Sequence, residues 1–492
     1  MPYLRFLLSC LTLVVSAPLL AQEPQQPVRL ELTYDPETSY IEPMALPDSS
    51  LLVYIRKSDI WLRDPSYTLE KYNAQLELVW SAKLDLKAEY RLVRHYNEAP
   101  FTHLIFQAAD LEQYTFVRIH TGNGKLAQSE IELEKAEFIH EFNVLRGKYF
   151  IIAGNRTDLK PNLLYLDPEN PKPVILPSIY GIESSFSDLL TDDTQGRVDV
   201  VLTEGKGRIS RLQVKSFDHR GKLLHNHFIL QPDNRSLLNA EITPGDTLSR
   251  LLVGNYGMRD LRYSQGFFTA PVVSQIASGE FYSFLDLQNF FKYMKPRREE
   301  RTRKREYARV AEGKEPSYRY RLLLHDLVVT PYGYVLAAEV YYPQYQSNTS
   351  YFERHIRGAG RNAQIYKRTH AVALGFDRDG ILLWDNTFPI PDIVTSDLVH
   401  AIEIACLPDG RFVMAYPERE KIYYGLMEGN KPIEEDTYLE LMPYEEDEKI
   451  TSTDYPGLIS WYGPHFAAFG YQRIRNPKGP NRTVYYITKI SF

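Results

Sequence analysis

The sequence predicts an all-β protein, and three observations favour a single β-propeller of eight four-stranded blades. Hairpins recur roughly every 50 residues, the repeat region shows no sustained helical periodicity, and Gly, Pro, Asn and Asp interrupt it throughout. Four strands in each such repeat is the spacing of propeller blades. The chain has 492 residues, 43% of them hydrophobic, which is enough for a large core. Seven blades is the alternative if one weak repeat has been overcounted.

Seven hairpin turns define the repeat. The two clearest hairpins run from Val214 to Leu224 and from Val372 to Trp384, and each contains an Asp and a Gly at its turn. Weaker copies turn near residues 74, 123, 168, 278 and 429. The interval from 278 to 379 is twice the usual one, and we interpret it as one blade with two insertions.

The two ends of the chain complement each other. Three strands are predicted near the carboxyl terminus, at 457–461, 466–471 and 483–492, and they lack a fourth partner. Val28 to Tyr34 is a lone strand near the amino terminus. Pairing this strand with the last one completes the eighth blade and removes two open sheet edges.

The hairpin motif carries a family resemblance. Phe-Asp-x-x-Gly-x-Leu-Leu occurs at 217–224 and at 376–383, the second copy is followed by Trp384, and Trp80 occupies a similar place in a weaker copy. This pattern resembles the repeat of quinoprotein-type (PQQ-like) propellers of bacterial type. The resemblance implies an eight-bladed fold shared by periplasmic dehydrogenases and by cofactor-free scaffolds of outer-membrane assembly. No quinone-binding residue of the family can be matched, so we expect no cofactor.

The amino terminus predicts export. Residues 1–21 contain one basic residue, a run of about fifteen mostly apolar residues and a small residue, Ala21, at a plausible cleavage point. We therefore expect a signal peptide at 1–21, a propeller domain at 22–492 and a location in the periplasm or at the cell surface of a bacterium. No later segment is apolar enough to predict a transmembrane span. Lipid attachment at Cys10, which follows a loosely lipobox-like Leu-Leu-Ser, stays open.

Other candidate sites have simpler interpretations. Cleavage would remove Cys10 and leave only Cys406, so we expect no internal disulfide and a buried thiol. His225 and His227 alternate on one strand, but no third ligand can be identified, and Asp377 to Gly380 fits a tight turn better than a calcium loop. We therefore expect no metal.

Two insertions carry the strongest functional signal. The first, at about 288–316, lies between the fifth and sixth blades and combines aromatic residues with a charged stretch of helical composition. The second is a long loop at about 343–367 within the sixth blade. In a four-stranded blade, the loops after the second and the fourth strands leave on the same face, and the two insertions occupy these two positions. Residues 288–370 contain 17 Lys or Arg against 8 Asp or Glu, although the whole chain carries a net charge of −6.

This local positive charge predicts a binding face for an anionic partner. The candidate partner-binding residues are Arg297, Arg298, Arg301, Arg303, Lys304, Arg305, Arg354, Arg357 and Arg361. Three apolar residues are expected to anchor the insertion on the propeller, namely Phe290, Phe291 and Met294. The alternative is a solvated helix whose Arg and Glu side chains pair only with one another.

The leading functional hypothesis is therefore an exported binding or scaffold protein that recognises a protein or an anionic envelope component. It is expected to be monomeric and not to bind nucleic acid. The second hypothesis is a propeller enzyme that acts on a saccharide or another polar ligand in the central funnel. A quinone-dependent dehydrogenase is the third and least favoured. Catalytic residues are unknown at this level, because carboxylates contributed by different blades leave no mark in sequence spacing.

Overall fold

A computed structural model describes residues 23–58, 65–87, 90–109, 112–134, 136–154, 161–177, 183–206, 209–273, 277–346, 363–390, 393–431 and 437–492. These residues form eight antiparallel sheets and one helix. The first strands of neighbouring sheets contact one another, which arranges the sheets around a central channel. The predicted eight-bladed propeller is confirmed. The predicted signal peptide, Cys10 and most of the 343–367 loop lie outside the described residues.

Each blade is described from its channel strand outward. Blade 1 contains β2 (Ser39–Ala45), β3 (Leu51–Lys57), β4 (Ser66–Tyr72) and β5 (Leu78–Leu84), and blade 2 contains β6 (Arg91–Glu98), β7 (Phe101–Gln107), β8 (Gln113–His120) and β9 (Leu126–Glu132). Blade 3 contains β10 (Phe138–Leu145), β11 (Lys148–Gly154), β12 (Asn162–Asp167) and β13 (Asn170–Leu176), and blade 4 contains β14 (Glu183–Asp192), β15 (Arg197–Lys206), β16 (Ile209–Asp218) and β17 (Leu223–Ile229).

The remaining blades include the interrupted one. Blade 5 contains β18 (Ser236–Ile242), β19 (Leu251–Gly257), β20 (Ser264–Pro271) and β21 (Phe281–Ser283). Blade 6 contains β22 (Arg321–Leu324), β24 (Gly333–Gln346), β25 (Ala363–Asp377) and β26 (Leu382–Pro389), with short additional strands β23 (Val328–Thr330) and β27 (Val394–Thr395). Blade 7 contains β28 (Glu403–Cys406), β29 (Phe412–Glu418), β30 (Lys421–Met427) and β31 (Tyr438–Glu440). Blade 8 contains β32 (Lys449–Tyr462), β33 (His465–Arg475), β34 (Arg482–Ser491) and β1 (Gln25–Leu32).

The repeat predicted from hairpin turns corresponds to one feature of the blade. All seven turns connect the third strand of a blade to its outer strand. The long interval between the fifth and sixth turns is occupied by blade 6 and its insertions, so no blade is missing there.

The ring closes through the two ends of the chain, as predicted. β1 pairs antiparallel with β34, with Val28 opposite Lys489 and Leu32 opposite Tyr485. Arg29 is held at this seam by Glu31 at 2.8 Å, and its guanidinium also lies 4.9 Å from the centre of the Tyr486 ring. The outer edge of blade 8 is therefore supplied by residues distant from it in sequence.

The core of the described residues is divided among the spaces between blades. Eight buried apolar clusters each combine residues from two adjacent blades, and the cluster between blades 8 and 1 includes Val53 and Ile487. Each blade thus buries its two faces against its neighbours. A missing blade would expose apolar surface on both sides of the gap.

The turns between third and outer strands are held by the preceding blade. Trp80 donates a hydrogen bond of 3.0 Å to the carbonyl of Thr121, and the Tyr165 hydroxyl donates one of 3.2 Å to the carbonyl of His219. Gly221 has φ of +73°, and a Cβ at this position would lie 2.9 Å from the Tyr165 ring. The glycine of the repeated motif is therefore required both by the turn and by the close approach of the neighbouring blade.

The first insertion contains the helix α1 (Pro296–Ala311), with Pro296 in its first turn. Residues 290–293, just before it, form turns, and the helix begins only at Pro296. Proline is favourable at the first helical position because its missing N–H needs no partner there. Within the described part of the chain, no helix is sufficiently long and apolar to cross a membrane.

Closure by β1 makes a testable prediction about stability. Deleting residues 23–34 should remove the outer strand of blade 8, expose the edge of β34 and lower the unfolding midpoint by about 5 °C or more, with aggregation. Thermal unfolding and light scattering measure both effects. A chain lacking only residues 23 and 24, which precede β1, is the control and should behave like the parent. A monomeric deletion variant with an unchanged midpoint would contradict the importance of this seam.

Candidate binding face and central channel

One face of the propeller carries both insertions. Because the strands of a blade alternate in direction, the loops after its second and fourth strands leave on the same side. Helix α1 follows the fourth strand of blade 5, and the long loop follows the second strand of blade 6. We call this side the insert face. The loop arginines Arg354, Arg357 and Arg361 lie outside the described residues.

Helix α1 docks on the propeller along one side. Arg303 pairs with Glu299 at 3.0 Å and donates to the carbonyls of Leu287 and Gln288 at 3.0 and 2.9 Å. Buried Glu306 accepts hydrogen bonds from the backbone and hydroxyl of Ser317, at 2.7 and 2.6 Å. These buried carboxylates fix the charged part of the insertion against the propeller. Arg303 thus holds the helix and has its donors occupied within the chain.

The aromatic part of the insertion lies beneath the helix. Phe290 and Phe291 are fully buried in the apolar cluster between blades 5 and 6, and Met294 packs against the same cluster. The Phe290 ring stacks on Phe284 with centroids 4.1 Å apart. These contacts attach the insertion to the core of the propeller.

A groove separates the helix from blade 6. Arg298, Arg301 and Arg305 project into it from one side of the helix, since residues three, four and seven positions apart share a helical face. The cavity has a volume of about 720 Å³. We call it the arginine–tyrosine groove, and its lining is Tyr293, Met294, Arg298, Arg301, Thr302, Arg305, Tyr318, Arg319, Tyr320 and Tyr342.

Three of the groove arginines lack a carboxylate partner within the described part of the chain. Arg305 pairs with Glu306 at 2.8 Å, whereas Arg298, Arg301 and Arg319 form no ion pair with any described residue. Among the described residues, the hydrogen-bond acceptor of Arg301 is the carbonyl of Arg297, at 3.3 Å. Gathering like charges around one cavity costs free energy, which an anionic ligand would offset.

The remaining predicted residues of the helix lie elsewhere. Arg297 and Lys304 are exposed, seven positions apart on the side of the helix away from the groove lining. Arg319 was not among the residues expected from the sequence. It sits between Tyr318 and Tyr320, whose side chains are buried while that of Arg319 is exposed. In the sequence, only this alternation of Tyr and Arg marks Arg319 as exposed. The alternation does not indicate which cavity an exposed residue faces.

The central channel has a different chemistry. The channel strands of blades 2 to 5 each contain a register shift against their partner strand, and the residues that follow the shift are Arg94, Glu141, Asp188 and Asn239. Such bulges redirect side chains and are common next to functional sites. Here the repeated bulge sets three charged residues, Arg94, Glu141 and Asp188, at the channel from successive blades, and Asn239 follows in the next blade.

Carboxylates from four blades influence one another in this channel. Burial, followed by the nearby charges of Asp326 and Glu141, raises the pKa of Asp188 to about 7, although a backbone hydrogen bond from Ile242 opposes the shift. Burial and the neighbouring Asp188, to which it is hydrogen-bonded, raise the pKa of Glu241 well above its usual range. Because blades 3 and 6 are not neighbours, the interaction of Glu141 with Asp326 operates across the channel. Asp188 and Glu241 therefore both retain their protons to higher pH than ordinary carboxyl groups.

A second charged network borders the channel between blades 6 and 7. Buried Glu339 accepts hydrogen bonds from Arg368 at 2.7 Å, from His325 at 3.0 Å and from the backbone of Ala401 at 2.7 Å. The His325 ring stacks on His400 with centroids 3.9 Å apart. Burial raises the Glu339 pKa, but the hydrogen bonds and charge of His325 outweigh it and the pKa lies below its usual value. The hydrogen bonds of this network link blade 6 to blade 7.

The other candidate residues from the sequence are involved in packing. Cys406 is half-buried against the cluster between blades 6 and 7, and burial raises the pKa of its thiol. His225 and His227 stack on each other on outer strand β17, with centroids 5.9 Å apart. In the described ranges, no three His, Cys, Asp or Glu side chains are arranged to hold a metal ion.

Comparisons with known proteins give distant structural likeness only. No protein-family model matches the chain, and no curated protein does. A dihydro-heme d1 dehydrogenase structure is similar at 10% identity and a TM-score of 0.42, covering 95% of this chain and 79% of its own. A prolyl oligopeptidase B from Galerina marginata matches at 10% identity and 0.41, over 90% of this chain and 55% of its own. The chain matches an apocarotenoid oxygenase from Synechocystis at 10% identity and 0.32, over 49% of this chain and 60% of that enzyme.

The raised pKa values of the channel carboxyl groups lead to a prediction about pH. The folded pKa of Asp188 is about 7, above its usual value, so the unfolded chain loses this proton near pH 4 while the folded chain retains it. Stability should therefore fall as the pH rises from about 4 to about 7. Glu241→Gln should reduce this loss, making the variant more stable than the parent at pH 8 by on the order of 1 kcal/mol and similar at pH 4.

Urea unfolding at both pH values measures the difference. Glu300→Gln on the exposed side of α1 is the control and should keep the parental pH dependence. If Glu241→Gln shows the same pH dependence as the parent, the two carboxyl groups do not influence each other's protonation.

Proposed function

We propose that this chain is an exported bacterial protein of the periplasm or cell surface that binds an anionic envelope component through its insert face. The proposal rests on one structural observation. Arg298, Arg301 and Arg319 surround a single cavity and have no carboxylate partner among the described residues. Arginine suits this role because its planar donors match carboxylate, sulfate and phosphate oxygens in pairs.

The docked helix supports the same proposal. Glu299 and Glu306 are buried on the docking side, where they accept from Arg303 and Ser317, and of the groove arginines only Arg305 pairs with one of them among the described residues. The hypothesis of a solvated, self-paired helix is therefore less favoured, since Arg298 and Arg301 keep no carboxylate partner among the described residues. A fixed helix also loses little conformational freedom when a ligand binds.

Charge reversal tests this proposal. Replacing Arg298, Arg301 and Arg319 together with Glu should remove most of the cosedimentation of the purified protein with bacterial envelope fragments at low salt. The parental interaction should weaken as salt increases, because screening reduces the attraction between exposed charges. The melting curve should change little, since no ion pair with a described residue is lost.

A matched variant controls for net charge. Arg220, Lys222 and Arg378 are exposed at turns on the opposite face and also lack an ion pair with any described residue. Replacing these three with Glu changes the net charge equally and should leave cosedimentation at the parental level. Equal losses in both triple variants, or retention of full binding by the first, would refute a role for the insert face.

The central channel favours a second candidate function, an enzyme that acts on a saccharide or other polar ligand. The observation behind it is that Glu141, Asp188, Glu241 and Asp326 act electrostatically on one another in the channel and that the pKa values of Asp188 and Glu241 are raised. A protonated carboxyl beside ionised ones can donate and accept protons at neutral pH. Incubation with neutral and acidic oligosaccharides, followed by reducing-end analysis, should then show cleavage that Asp188→Asn abolishes. Absence of cleavage by the parent would remove this candidate.

A further inference from the structure

We propose that the arginine–tyrosine groove binds an acidic oligosaccharide, a short chain of sugar rings that carries carboxylate or sulfate groups. This inference rests on the proposed function and specifies its ligand. It is drawn from the spacing of the positive charges, the composition of the walls and a second cavity on the same face.

The spacing of the charges favours an extended ligand. Arg298 and Arg305 are seven residues apart on α1, which corresponds to about 10 Å along the helix axis. Arg319 contributes a third guanidinium from the segment that leads into blade 6. A single phosphate group could contact only part of this array. A chain with several separated oxyanion groups can contact all of it.

The walls suit a ligand rich in hydroxyl groups. The Tyr293 ring stacks on His370 at 3.6 Å, and its hydroxyl forms a hydrogen bond of 2.8 Å with that of Tyr320. Arg298 acts electrostatically on the hydroxyls of both Tyr293 and Tyr342. These contacts hold the wall in place, and its partly exposed rings are those of Tyr293 and Tyr342, since Tyr318 and Tyr320 are buried. Sugar rings offer the complementary combination of C–H surfaces and hydroxyls, which an acidic peptide lacks.

The size of the groove fits this ligand. Its volume of about 720 Å³ lies within the range of small-molecule sites, which hold ligands of a few rings. Of its ten lining residues, eight are Arg or Tyr and none is acidic. Specificity would come from the positions of the arginines, and additional contact area from the tyrosines.

A second cavity extends the proposed site. It has a volume of about 860 Å³, lies between blades 4 and 5 and opens on the insert face. Its lining includes Ser185, Thr203, Asn239, Arg259 and Arg262. Arg259 pairs with Glu315 at 3.1 Å and Arg262 with Asp260 at 2.7 Å, so this cavity is polar with its charges compensated.

Aromatic and basic residues connect the two cavities. The Tyr263 ring has Arg262 at 5.4 Å, Arg321 at 5.5 Å and Arg319 at 6.0 Å from its centre. Arg262 lines one cavity and Arg319 the other. We assign further sugar rings of a longer chain to the second cavity, where hydroxyl contacts replace ion pairs.

Calorimetric titration of the purified protein tests the assignment. The probes are tetragalacturonate and a sulfated tetrasaccharide, and maltotetraose is the neutral sugar control. At least one acidic sugar should bind, and maltotetraose should bind at least tenfold more weakly. Arg298→Gln and Arg319→Gln should each weaken binding about tenfold or more, because each removes charge-assisted hydrogen bonds. Tyr342→Ala should also weaken it, which a purely electrostatic surface would not require.

A double variant on the same helix provides the matched control. Arg297→Gln with Lys304→Gln removes two charges from the side away from the groove and should change the affinity no more than about twofold. Octagalacturonate should bind more tightly than tetragalacturonate, and Asn239→Ala should reduce only this additional affinity.

Three results would overturn the inference. Tetraglutamate or a dT4 oligonucleotide binding as tightly as the acidic sugars would identify a different ligand class. Equal losses in the groove and control variants would indicate a diffuse charge effect. If neither acidic sugar binds while the Arg298, Arg301 and Arg319 reversal still abolishes envelope cosedimentation, the insert face binds an anion of another kind and only the saccharide assignment fails.

Discussion

The pairing of β1 with β34 is the constraint on which the rest of the structure depends. Every blade buries both of its faces against neighbours, so the ring has no position at which it can stop without exposing apolar surface. β1 supplies the last outer strand from the opposite end of the chain and protects the edge of β34. The insert face and the channel both require a closed ring, because each is assembled from different blades.

The insertion is held in place by the same kind of apolar packing that holds the blades together. Phe290 and Phe291 enter the cluster between blades 5 and 6, and Glu306 and Arg303 then hold the helix above it. These contacts occupy Glu299 and Glu306 and leave Arg298 and Arg301, on the groove side, without a carboxylate partner among the described residues. A positively charged groove therefore follows from how the helix is docked, and amino-acid composition alone would not produce it.

The propeller separates two kinds of charge. Arginines collect on the insert face, whereas carboxylates collect in the channel, where bulges in successive channel strands place Glu141 and Asp188. A polyanion attracted to the first region would be repelled by the second. This separation keeps the arginines of the groove apart from the channel carboxylates, where burial raises the pKa of Asp188.

The sequence by itself determined the repeat, the closure of the ring and the location of the basic insertion, and it favoured eight blades over seven, because turn residues and strand periodicity act locally and recur in every blade. It also indicated Phe290 as an anchor, since large apolar residues in a charged segment need a core. Only the tertiary structure decided which arginines share a cavity, with Arg319 in the groove and Arg303 bonded within the chain. It also decided that Asp188 and Glu241 lie next to each other. Those relations join residues from different blades or different sides of a helix, and they depend on docking geometry that no local pattern records.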